Sequence, residues 1–186
     1  MSRPIGKVYN IPPQPPVEEN TRWFPAGNLV IGVEYRDVDP DGLVATYGSD
    51  PAMLAELLER SPEGGFFDEG VSIHVKGAAD DHEYLRFDIF DGEPHYHYNH
   101  AGPEPINHVV DFDVVAEGEM LDWALSRLET RLGAMLDEAG GTALVDGLDL
   151  VAVRETVAVA GALAREAQRR SRVLREGSKA NDQPHA

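Results

Sequence analysis

Apolar and polar residues alternate along several stretches of the chain, the spacing of half-buried β-strands. In 28–36, Leu29, Ile31, Val33 and Tyr35 face one way, and Val30, Gly32, Glu34 and Arg36 face the other. In 70–77, Val71, Ile73 and Val75 oppose Ser72, His74 and Lys76. In 83–90, Leu85, Phe87 and Ile89 oppose Tyr84, Arg86, Asp88 and Phe90. In 106–115, His108, Val110 and Phe112 oppose Asn107, Val109, Asp111 and Asp113. A fifth stretch alternates histidine with tyrosine, placing His95, His97 and Asn99 opposite Tyr96, Tyr98 and His100. Asp91-Gly92 is a hairpin turn signal that joins this stretch to the one before it. A two-residue turn there sets Asp88 opposite His95 and Arg86 opposite His97. Slipping the register by two residues leaves the same side chains on one face, whereas a bulge does not.

Elsewhere the apolar period lengthens to three and four. Ser49-Asp50-Pro51 supplies a side-chain cap and a proline at the first helical position, followed by Met53, Leu54, Leu57 and Leu58. Residues 119–139 carry Leu121, Leu125, Leu128, Leu132, Met135 and Leu136 at helical spacing and end at Gly140-Gly141. From 148 to 176, Leu150, Val153, Val157, Ala160, Ala164 and Ala167 form a narrow stripe, a packing seam within the chain or across a dimer. These patterns predict an α+β fold. Its expected form is a mostly antiparallel sheet of four to five strands, one face covered by two long C-terminal helices and a short helix. Residues 1–25 read as a proline-rich N-terminal arm, because Ile11-Pro12-Pro13-Gln14-Pro15-Pro16 favours polyproline II. Residues 26–176 read as a single α+β domain, and 177–186 as a disordered tail.

Composition narrows the function. The absence of cysteine excludes thiolate metal sites and cysteine nucleophiles. The same absence, with no run of 18 apolar residues and no apolar leader, makes a cytoplasmic protein the expectation. A net charge of −17 opposes binding to nucleic acid or an anionic membrane. The segment 164–179 is locally basic, and a homo-oligomer with this segment or the arm as a contact is expected.

The chemistry gathers on one face of the expected sheet, where Glu34, Arg36, Ser72, His74, Arg86, Asp88, His95 and His97 fall together. Two histidines two apart on a strand send both imidazoles to one side, and Asp88 is their cross-strand neighbour. His95, His97 and Asp88, with His74 as a further ligand, suit a divalent metal ion: zinc, or iron, manganese or copper. Asp88 and Arg86 are the candidate catalytic residues, with Arg86 holding a substrate anion in a bidentate fork. Cupin metal sites share the His-x-His strand motif. Here the next glutamate after His97 is Glu104, beyond a Gly-Pro bend, so the spacing departs from that family. Neither a phosphate-binding glycine loop nor a Gly-x-Ser-x-Gly elbow is present.

The expected function is a small metal-dependent enzyme or metal-binding protein acting on a small polar or carboxylated molecule. Two further readings stand beside it. One is a metal-free small-molecule pocket, with a histidine oriented by Asp88 as acid or base and with Tyr84, Phe90, Phe66 and Phe67 as walls. The other is a non-catalytic interaction or accessory subunit.

Overall fold

The computed structural model describes residues 6–61, 63, 65–101 and 106–181. Seven strands form one antiparallel sheet: β1 (Lys7–Tyr9), β2 (Thr21–Ala26), β3 (Leu29–Val38), β4 (Asp68–Gly77), β5 (Glu83–Phe90), β6 (His95–His100) and β7 (Ile106–Asp111). Their order is β1-β7-β6-β5-β4-β3-β2. Strands β2 to β7 follow one another as a meander, and β1 returns to the free edge of β7. The class is α+β, but the expected four to five strands become seven. The two additional strands come from 7–26, which has too few alternating apolar positions to read as strand. Both lie at sheet edges, where Pro25, paired with Val30, need not donate to a second neighbour.

The apolar sets line the face under the C-terminal helices. Leu29, Ile31, Val71, Ile73, Val75, Leu85 and Phe87 are fully buried there. The helices in chain order are α1 (Pro40–Tyr47), α2 (Pro51–Arg60), α3 (Val114–Glu117), α4 (Met120–Thr130), α5 (Leu132–Glu138), α6 (Thr142–Val145) and α7 (Leu150–Asn181). The single helix expected over 119–139 is two, because Arg131 leaves the helical region at φ −131°, ψ 2°. The narrow stripe of α7 packs within the chain: Val153, Val157, Ala160 and Ala164 are buried in the same core as Leu121, Leu125 and Leu128. Helix α7 continues to Asn181, and the remainder of the tail expected over 177–186 lies outside the described residues.

The short helix was expected on that same face and is not there. Helices α1 and α2 lie with residues 11–17 over the polar face instead. Asp39-Pro40 starts α1 by the same cap-and-proline device that Asp50-Pro51 uses for α2; Asp39 accepts from Gly42 N–H at 2.7 Å. The Gln14 amide donates to Thr46 Oγ1 at 3.1 Å, and the Tyr47 hydroxyl donates to the Pro12 carbonyl at 2.9 Å. The Val17 N–H donates to Glu34 at 3.0 Å. The physical reason for this placement is the charge on the sheet. Glu34, Arg36, His74, Arg86 and Asp88 are buried on the polar face and require partners that water no longer supplies.

One irregularity changes which residues face the site. The β4–β5 register runs Val75↔Leu85 and then Lys76↔Glu83, so Tyr84 is an extra residue. The bulge turns Glu83 onto the polar face. It sends Tyr84 into the core, with its hydroxyl donating to Asp80 at 2.7 Å. Tyr84 therefore does not wall a pocket on the polar side. Trp23, from β2, crosses the polar face over Gly32. A Cβ at Gly32 would stand 2.4 Å from the indole Cζ3, so only glycine admits the ring.

Candidate functional site

The β5–β6 hairpin has the register of a turn centred on Asp91-Gly92: Asp88 pairs with His95, and Arg86 with His97. This brings Asp88, His95 and His97 together. Their candidate ligand atoms all lie within 4.8 Å of one another, a set that could hold a metal ion. Asp88 Oδ2 is 3.0 Å from His97 Nε2 and 3.4 Å from His95 Nε2. Its other oxygen accepts from the Ser72 hydroxyl.

The far nitrogen of each ring is tethered. His95 Nδ1 lies 2.6 Å from the Glu93 carbonyl oxygen, and His97 Nδ1 lies 2.7 Å from Asn107 Oδ1. Each ring therefore faces an oxygen at both nitrogens, a carbonyl oxygen at Nδ1 and Asp88 Oδ2 at Nε2; the Nδ1 tether fixes the ring orientation, as the outer contacts of metal-ligating histidines do, and Nε2 is the nitrogen directed at Asp88. Asn107 comes from β7, on the same face by alternation. Its strand face was legible from the alternation, but its place beside His97 and its tethering role follow only from the β6–β7 pairing, in which His97 lies opposite Val109.

His74 is held elsewhere. Its Nδ1 is 2.5 Å from Glu83 Oε1 and its Nε2 is 3.1 Å from Glu34 Oε2, so both nitrogens are engaged away from Asp88. Arg86 is 2% exposed and is engaged at each of its three nitrogens. It donates through Nε and Nη2 to the two Glu83 oxygens at 3.0 and 2.6 Å, and through Nη1 to the Gln14 carbonyl at 2.8 Å. Arg36 differs. Its hydrogen bonds all go to Gln14, at 3.0–3.3 Å, and Glu34 lies 3.6 Å away. Gln14 and Glu83 escaped the sequence reading because one sits in a proline run and the other changes face at a bulge.

Burial governs the electrostatics. It pushes the Asp88 carboxyl up, yet hydrogen bonds from His95 and His97 and the charge of Arg86 outweigh it and hold Asp88 well below the usual carboxylate range. Burial likewise raises the Glu83 carboxyl, and Arg86 and His74 bring it below its ordinary value. The histidines part company. Burial lowers both, but the Asp88 contact leaves His95 raised overall, while His97 stays lowered. Tyr47 is pushed up to about 12 by burial, against Arg86 and Arg36, so its phenol is neutral.

Above this group lies a cavity of about 420 Å³. Asp88, His95, His97, Arg36, Arg86 and Tyr47 contribute its polar wall, and Ile11, Pro12, Val38, Leu43, Leu57 and Phe66 its apolar wall. An apolar chamber with a few convergent polar groups is the form of a small-molecule site. No helix among the described residues is long and apolar enough to cross a membrane.

A family profile described as "Domain of unknown function (DUF7700)" matches residues 23–164, about three quarters of the chain. The chain belongs to that family. The matched span contains Arg36, Asp88, His95, His97 and Asn107 and begins after the proline segment. No curated protein matches the chain, and no solved structure matches it.

Proposed function

We propose that this member of the DUF7700 family is a small metal-dependent enzyme acting on a carboxylated small molecule with an apolar body. The tethering of the two rings carries the reading. With each Nδ1 tethered to an oxygen, both Nε2 atoms are held toward one Asp88 oxygen. These three electronegative atoms need a positive centre among them, either Nε2 protons donated to Asp88 or a cation that takes the protons' place. A single divalent ion meets that need, and two imidazoles with one carboxylate suit zinc, iron, manganese or copper. When bound, such an ion supplies Lewis-acid polarisation of a substrate oxygen.

The chain's own residues do the rest. Arg36 is the guanidinium with neutral hydrogen-bond partners, so it receives the ligand carboxylate. Arg86 acts as a positioning residue: it fixes Glu83 and the Gln14 carbonyl and adds positive charge beside Asp88. The apolar wall holds the substrate body and excludes water.

The test is elemental analysis of the purified protein beside a His95→Ala/His97→Ala variant. Near-stoichiometric metal, lost in the folded variant, is the expected result. A wild type that takes up none of zinc, iron, manganese or copper overturns the proposal. The opposite shifts of His95 and His97 would then favour a metal-free acid–base pair, with one ring charged and one neutral.

A further inference from the structure

The guanidinium that receives the ligand is already taken. Arg36 lines the larger cavity but is only 6% exposed, and Gln14 lies across it. A guanidinium offers a carboxylate two bidentate edges, Nη1 with Nη2 and Nε with Nη2. Gln14 sits on both. Its backbone carbonyl accepts from Nη1 and Nη2 at 3.3 Å each, and its side-chain oxygen accepts from Nη2 at 3.0 Å. A carboxylate that engages Arg36 through either edge therefore displaces a Gln14 oxygen. The segment that carries Gln14 can yield. Residues 11–16 form no strand, and Pro12, Pro13, Pro15 and Pro16 have no N–H to give to a ladder. Side chains hold the segment instead: Tyr47 on the Pro12 carbonyl, Thr46 on the Gln14 amide, and Arg86 on the Gln14 carbonyl at 2.8 Å. Arg86 keeps both Glu83 oxygens when that carbonyl leaves, so opening strands no charge.

We propose that Gln14 is a built-in competitor for the ligand carboxylate at Arg36, and that residues 11–16 are a latch which ligand binding releases. The inference rests on Arg36 receiving that carboxylate. Gln14 brings neutral oxygens to the guanidinium, whereas a carboxylate brings a charge, and hydrogen bonds between charged groups are roughly twice as strong. A carboxylated ligand therefore takes Arg36 from Gln14, and a ligand that ends in a neutral amide does not. Pro12, Pro13 and Gln14 also line the cavity, so their release widens the way in. The effect is reciprocal by linkage: a ligand that loosens the segment binds more tightly to a chain whose segment is already loosened. The matched family span includes Arg36 and begins after Gln14, so the guanidinium lies within it and the competitor outside it.

The test titrates hexanoate, a carboxylate with an apolar body, into the ¹⁵N-labelled full chain and into two variants. Gln14→Ala removes the side-chain competitor and is expected to tighten hexanoate binding about fivefold. Gln14→Glu sets a carboxylate on Arg36 and is expected to weaken it by at least about as much. A residue that only kept the site in shape would weaken binding in both variants, so the opposite signs carry the test. A second measurement needs no variant to fold. Hydrogen exchange across residues 7–20 of the wild type is expected to quicken at saturating hexanoate, although a bound ligand ordinarily protects, and hexanamide is expected to leave it unchanged. The proposal is overturned if Gln14→Ala binds hexanoate no more tightly than the wild type, or if exchange across 7–20 slows or stays the same. A wild type and a Gln14→Ala variant that both fail to bind hexanoate overturn the carboxylate role of Arg36 as well, which separates the two failures.

Discussion

Replacing Glu83 by glutamine separates a buried charge network from a solvated surface. The Glu83 carboxylate meets Arg86 through both oxygens, at 3.0 and 2.6 Å, and meets His74 at 2.5 Å. Its side chain is 12% exposed and that of Arg86 is 2% exposed. Glutamine keeps one acceptor but turns an NH₂ toward a guanidinium N–H, leaving Arg86 buried without its counter-charge. Breaking a buried pair in this way costs about 3–5 kcal/mol, whereas an exposed pair is worth about 0–1. Total stability for a domain of this kind is about 5–15 kcal/mol, so the loss is a large part of it. In a urea titration with a slope of about 2 kcal/mol per molar, the midpoint should fall by about 1.5–2.5 M. A Glu83→Leu/Arg86→Met double variant removes both charges together and should cost less than Glu83→Gln alone, because no charge is stranded. Loss of under about 1 kcal/mol in Glu83→Gln would refute the reasoning, since it would mean that water reaches Arg86.

The same carboxylate gives a pH dependence of known sign. Glu83 sits below its ordinary value in the folded state, so its contribution is complete above the unfolded value of about 4.3 and is lost as pH falls through the folded one. The stability gap between wild type and Glu83→Gln, read from urea melts at several pH values, should therefore narrow on acidification. Asn107→Leu removes the oxygen that tethers His97 Nδ1 and should weaken zinc binding about 10–100-fold in a chelator competition; unchanged affinity would count against the tether. Gly32→Ala drives a methyl into the Trp23 ring, 2.4 Å from its Cζ3. It should cost about 1–3 kcal/mol and alter the tryptophan fluorescence, as checked by thermal and spectral measurements.

Much of this arrangement was written locally. The period of two assigns each residue of 29–36, 71–76 and 85–90 to a sheet face without reference to any distant segment, and the core follows those assignments. The short loop around Asp91-Gly92 joins neighbouring strands in a register that any even loop length preserves face by face, so the gathering of Asp88, His95 and His97 was legible from one hairpin. The helix starts at Asp50-Pro51 and the stripe of α7 were local for the same reason, as both depend on residues within a few turns.

What the tertiary structure alone decided depends on partners far apart in the chain. His74 has the type and the face of a metal ligand, but Glu34, 40 residues earlier, and Glu83, brought round by a bulge, claim both its nitrogens. Arg86 has the chemistry of an anion holder, but Gln14, 72 residues away, and Glu83 take its donors, leaving Arg36 as the guanidinium whose hydrogen bonds go to a neutral residue, with Glu34 3.6 Å away. The proline segment carries no periodic signal, and only the need of buried arginines for carbonyl oxygens shows why it lies over the polar face with α1 and α2. The strand count rose to seven because an edge strand is defined by the neighbour that accepts it, and short segments such as Lys7–Tyr9 hold that information in β7 rather than in themselves. Local periodicity selects a face; which buried charges meet across that face is a property of chain segments that only folding brings together.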